Sequence, residues 1–104
     1  MNCRIAHRIG PPIDSWQILA ELPYHGSLRE VYYHVQTLRH ILIEPFDECI
    51  DRHIVFTFRG YWFRIDLAPE RLDFWISDGD CPVDILMVPL GHLIETLSIR
   101  PKSN

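Results

Sequence analysis

Residues 53–76 read HIVFTFRGYWFRIDLAPERLDFWI, and along them apolar and polar side chains alternate with a period of two. Ile54, Phe56 and Phe58 alternate with His53, Val55 and Thr57. Tyr61, Phe63, Ile65 and Leu67 alternate with Trp62, Arg64 and Asp66, and Leu72, Phe74 and Ile76 with Asp73 and Trp75. Alternation of this kind marks strands with one buried face. Arg59-Gly60 and Pro69-Glu70 have the residue types of tight turns, so the stretch predicts three antiparallel strands in a meander.

Two-residue loops at those turns set the register. Phe56 then faces Phe63, Ile54 faces Ile65, Ile65 faces Phe74, and Phe63 faces Ile76. Each of these inner pairs is apolar, and a slip of one residue would turn them all toward water. The outer face falls into three rows: Thr57–Trp62–Ser77, Val55–Arg64–Trp75 and His53–Asp66–Asp73.

Working outward, Ser27-Leu28-Arg29-Glu30 is a capping box, and Leu28, Val31, Val35, Leu38 and Leu42 recur at helical spacing. The reading is a long helix from residue 28 to about Ile43, stopped by Pro45. Asp14 with Gln17 suggests a shorter helix ending near Leu22, before Pro23. Residues 82–99 admit two readings. Val83, Leu86, Met87, Leu90, Leu93, Ile94 and Leu97 share one helical face, but Pro89 inside a helix costs about 3 kcal/mol. The β-branched Val83, Ile85 and Val88 favour a fourth strand over residues 82–89, followed by a helix. Residues 1–12 read as an irregular lead-in and residues 100–104 as a frayed tail.

The expected fold is therefore α+β, one domain over residues 1–104. It has two N-terminal helices, a three- or four-stranded antiparallel meander, and a C-terminal helix packed on one sheet face. A chain of 104 residues with 47% hydrophobic and 23% charged residues has the composition of one globular domain. A formal charge of −4 argues against a nucleic-acid partner held through phosphate contacts. No apolar run is long enough to span a membrane. Cys3, Cys49 and Cys81 lack paired spacing, which points to the cytoplasm rather than to a disulfide framework.

Chemistry-bearing residues are sparse. Cys49 and His53 are four apart beside Glu44, Asp47, Glu48 and Asp51, but zinc needs a second ligand pair, so the segment reads as a solvated acidic connection. Asp78-Gly79-Asp80 lacks the further oxygens of a calcium loop and reads as a turn. Cys81 has no histidine placed beside it by local argument, and the glycines never cluster into a phosphate cradle. No cofactor is expected. The row His53–Asp66–Asp73 sets two carboxylates side by side, which an acid/base or metal-assisted enzyme could exploit. Trp62, Arg64 and Trp75, with Val55 and Thr57, put aromatic and arginine side chains on the outer face. Such a face is covered either by another element of the same chain, for which the short first helix with Trp16 is the candidate, or by a partner. Aromatic and arginine residues carry interface energy, so the expectation is a small binding module contacting a protein partner or a second copy of itself. A pocket for a small ligand between helices and sheet is a further alternative.

The chain has six histidines, a residue type whose unperturbed side chain titrates near pH 6.5, and charging them all would carry the formal charge from −4 to +2, through zero near the pI of 5.8. Solubility should vary strongly between about pH 5 and 7 and be lowest near the pI; a light-scattering titration showing a flat profile would mean the histidines are silent.

Overall fold

The three meander strands form as the alternation requires, and two further strands flank them. The computed structural model describes residues 16–47 and 50–99. Its elements are β1 (Gln17–Pro23), α1 (Leu28–Val35), β2 (Ile41–Ile43), β3 (His53–Phe58), β4 (Tyr61–Ala68), β5 (Arg71–Ile76) and α2 (Val83–Ile99). They make an α+β fold with one five-stranded sheet, ordered β1-β5-β4-β3-β2 and antiparallel at each junction. The lead-in, Asp14 and the tail fall outside the described residues. No helix is long and apolar enough to cross a membrane.

The register matches the expected one: Phe56 faces Phe63, Phe63 faces Ile76, and Asp66 faces both His53 and Asp73. Both turns use left-handed backbone, with φ of 53° at Arg59, 85° at Gly60 and 63° at Glu70. Positive φ at Arg59 and Gly60 gives the tight connection a twist that suits the flanking strands. The inner face is an apolar sheet surface. The Phe56 and Phe63 rings stack with centroids 5.3 Å apart, and Phe63 and Phe74 at 5.7 Å. Leu28, Val31 and Val35 of α1 and Leu90 and Leu93 of α2 join these rings in one buried cluster.

Three expectations need correction. The segment expected as a first helix is the edge strand β1, paired to β5. A bulge between Ile18 and Ala20 explains the misreading. The extra residue sets Leu19, Ala20 and Leu22 against the core, so the spacing of a bulged strand imitates a helical one. The second helix begins as its capping box requires, with Ser27 Oγ accepting from the Glu30 backbone N–H at 3.2 Å. It ends at Val35 rather than Ile43. His40 takes a φ of 66°, and the chain re-enters the sheet as β2, with Ile41 facing Phe58 and Ile43 facing Phe56. Leu42, counted on the helical stripe, points outward and is 75% exposed.

The third correction concerns residues 82–89, which are helical and carry a buried Pro89 inside α2. A fourth meander strand would have to pair with the free edge of β5, and β1 occupies that edge. With that edge taken, the segment satisfies its backbone internally as a helix. The single bond that Pro89 forfeits is offset by burial of Leu90 and Leu93.

Phe63 is fully buried between two rings, so Phe63→Ala should cost about 3–5 kcal/mol, much of the stability of a small domain. A Cβ at Gly60 would meet nothing within 4 Å, so Gly60→Ala should cost only the backbone strain, about 1 kcal/mol. Urea melts of both variants check this, and the two should differ severalfold.

Candidate functional site

The outer sheet face is a separate surface from the core. The buried cluster contains the inner-face residues and both helices, while Val55, buried on the opposite face, is not part of it. Arg64 organises this face. Its guanidinium carbon lies 5.3 Å from the Trp16 ring and 4.9 Å from the Trp75 ring, so the cation sits against two aromatic faces. Trp16 reaches it because β1 runs beside β5, where Ile18 faces Trp75. A first helix carrying Trp16 is the cover that the sequence offers for this face; Trp16 does reach Arg64, but from immediately before an edge strand and not from a helix.

Arg64 also neutralises Asp66. Its Nη2 donates to Asp66 Oδ2 at 3.0 Å. Nε and Oδ1 approach to 3.0 Å as well, but off the N–H axis, which makes that contact an ion pair without hydrogen-bond alignment. On the neighbouring strand, Arg71 Nε donates to Asp73 Oδ1 at 2.8 Å. Hydrogen bonding and charge from Asp73 push the Arg71 guanidinium above its ordinary value. The two facing carboxylates of the row His53–Asp66–Asp73 thus each have an arginine two residues earlier on their own strand. The two guanidiniums relieve the like-charge repulsion, so neither a shared proton nor a bound metal ion is needed.

Trp62 and Thr57 face each other in the next row, both half-buried, and Leu42 beside Thr57 extends the face to β2. The Trp75 indole N–H is buried with no acceptor among the described residues. An unmet buried donor costs about 1–3 kcal/mol.

The other candidates resolve as local structure. Cys81 is buried, and its thiol is pushed up first by burial and then by the charges of Asp78 and Asp84. It stays protonated at neutral pH, which is the wrong state for a nucleophile. In the Asp78-Gly79-Asp80 turn, Asp78 Oδ1 accepts from the Asp80 N–H at 2.8 Å. In the acidic connection, Asp51 accepts from the Asp47 N–H at 2.8 Å, and Phe46 stacks on Tyr32 at 4.9 Å. Glu48 and Cys49 lie outside the described residues, and the Cys49–His53 pair with them. Among the described residues, the metal-ligating side chains that do gather are His34, His92 and Glu95, on the helices.

No known protein family, curated protein or solved structure matches this chain.

Removing the Arg64 side chain leaves the Asp66 carboxylate partly buried without its partner, so Arg64→Ala should destabilise the fold by about 1–3 kcal/mol. The double variant Arg64→Met/Asp66→Asn removes both charges while keeping a stem against the tryptophans, and chemical denaturation should show most of that loss recovered.

Proposed function

We propose that this protein is a small binding module whose working surface is the outer sheet face, centred on Trp62, Arg64 and Trp75 and flanked by Val55 and Thr57. The observation that carries the reading is the placement of β1. Residues 17–23 extend the sheet at its edge instead of lying across its outer face, and both helices bury their apolar residues on the inner face. Neither described helix lies over the aromatic rows, and Trp62 and Trp75 are half-exposed around a buried Val55. Ile18 at 45% exposure and Leu42 at 75% widen the apolar patch along the sheet. A charged cation held between indole rings, with carboxylates beside it, suits a protein contact, in which aromatic and arginine side chains anchor the centre. The edges are poor docking sites by comparison: β1 is bulged and ends in Pro23, and β2 is only three residues long. The partner this surface fits most simply is a second copy of the chain in the cytoplasm, related by a two-fold axis.

A second reading rests on α2. Val83, Met87, Val88 and Ile94 are exposed at 69%, 46%, 42% and 41%, on the helix side away from the core. That stripe offers a helix-docking surface on the opposite side of the molecule.

Sedimentation velocity separates the two. Trp62→Ser/Trp75→Ser should keep the native far-ultraviolet spectrum and weaken association by about 2 kcal/mol or more, roughly thirtyfold in Kd. Met87→Glu should leave association unchanged. The opposite pattern moves the interface to α2, and a variant that unfolds places the tryptophans in the core.

A further inference from the structure

Where α1 meets α2, two histidines from distant parts of the chain lie face to face. The His34 and His92 rings stack with centroids 4.2 Å apart and planes 19° from parallel. Each ring reaches across to the other residue's main chain. His34 Nε2 donates to the His92 carbonyl at 2.9 Å, and His92 Nε2 donates to the His34 carbonyl at 3.0 Å. Thr37 completes the arrangement. Its hydroxyl donates to the His34 carbonyl at 2.6 Å, and its oxygen, 2.9 Å from His92 Nε2, shares that single ring N–H with the carbonyl.

These partners assign the tautomers. A carbonyl can only accept, so both Nε2 atoms carry the proton, and in the neutral rings both lone pairs sit on Nδ1. Metal-bound histidines commonly show this pattern, one nitrogen donating to a backbone carbonyl while the other is free for the ion. A carboxylate stands beside them: Glu95 Oε1 lies 3.9 Å from His92 Nδ1. One ligand atom from each of His34, His92 and Glu95 lies within 4.8 Å of the others.

We propose that His34, His92 and Glu95 form a binding site for a borderline divalent cation of the Zn²⁺ type, held through both Nδ1 atoms and the Glu95 carboxylate. Two imidazoles and one carboxylate select zinc, nickel or copper over magnesium or calcium, which prefer all-oxygen shells. Tetrahedral ligands around zinc stand roughly 3.4 Å apart, so the group must contract. Each ring runs toward the other residue's carbonyl, so the pair is head-to-tail and the two Nδ1 lone pairs must be turned toward one point. The rings must splay about their Nε2–H···O anchors, while the exposed Glu95 side chain swings in at little cost. Three protein ligands leave a fourth position for water or for a group from a partner. The ion would tie α1, only eight residues long, to the far longer α2, a staple of the kind small domains use.

Glutamine provides the discriminating variants, because its amide N–H can replace the Nε2–H bond to the carbonyl while supplying nothing in place of Nδ1. Calorimetric titration of the full chain with zinc chloride should give one ion per chain and raise Tm by about 5 °C or more at saturation, with no rise from magnesium chloride. His34→Gln and His92→Gln should each stay folded and lose at least about tenfold in zinc affinity. Glu95→Gln, at an exposed position that cannot compromise folding, should weaken binding as well. In nitrogen-15 spectra of the histidines, zinc should shift Nδ1 of His34 and His92 while both Nε2 atoms keep their protons. Absence of zinc binding in the wild type overturns the proposal. So does undiminished affinity in Glu95→Gln and both glutamine variants, which would move the ion to other histidines and leave the stacked pair as a helix clamp.

Discussion

The row of rings Phe56, Phe63 and Phe74 across the inner face of β3, β4 and β5 is the constraint on which the other elements depend. Stacked at 5.3 and 5.7 Å, they lock the register of the three central strands, because slipping any strand by one residue would expose its apolar set. They also form the floor on which Val31, Val35, Leu90 and Leu93 are buried. Neither helix has another apolar surface of that size to cover. The position of α1 against α2, and with it the meeting of His34 and His92, follows from both helices sharing that floor.

The same alternation that buries the rings dictates what the other face must carry. Every second residue of three central strands points outward, and here that set contains Trp62, Arg64, Trp75 and the paired carboxylates. Facing Asp66 with Asp73 would be unfavourable if either stood alone. The repeated spacing of Arg64 before Asp66 and Arg71 before Asp73 places a cation beside each carboxylate on the same strand and face. The charge on this face is thus balanced within single strands.

Edge strands shape what the face can do. β1 and β2 add width to the sheet without adding thickness, and both are poor templates for further strand pairing. One is bulged and closes on Pro23; the other has three residues. Association by edge extension is therefore discouraged, and association through faces is left open. β1 also brings Trp16 onto Arg64, so the edge strand contributes to the surface that the central strands begin.

Within the meander, the sequence by itself determined nearly everything. Strict alternation over residues 53–76 with short turns leaves one register that buries every inner side chain, and that register fixes the outer rows containing Trp62, Arg64, Trp75, Asp66 and Asp73. The start of α1 was equally legible, because a capping box is a local hydrogen bond between Ser27 and Glu30. The remainder was decided by tertiary structure. A bulge turned the period of residues 17–23 into a helix-like one, and only pairing with β5 shows it for a strand. Residues 36–43 could continue a helix by their spacing; the vacant edge of β3 draws Ile41 and Ile43 into the sheet instead. Residues 82–89 have strand-like composition, yet β1 occupies the edge beside β5, and the segment satisfies its backbone hydrogen bonds as a helix. The histidine pair belongs to this second class as well. His34 and His92 are 58 residues apart, and no local period links them; they meet because both helices bury their apolar faces on the same sheet.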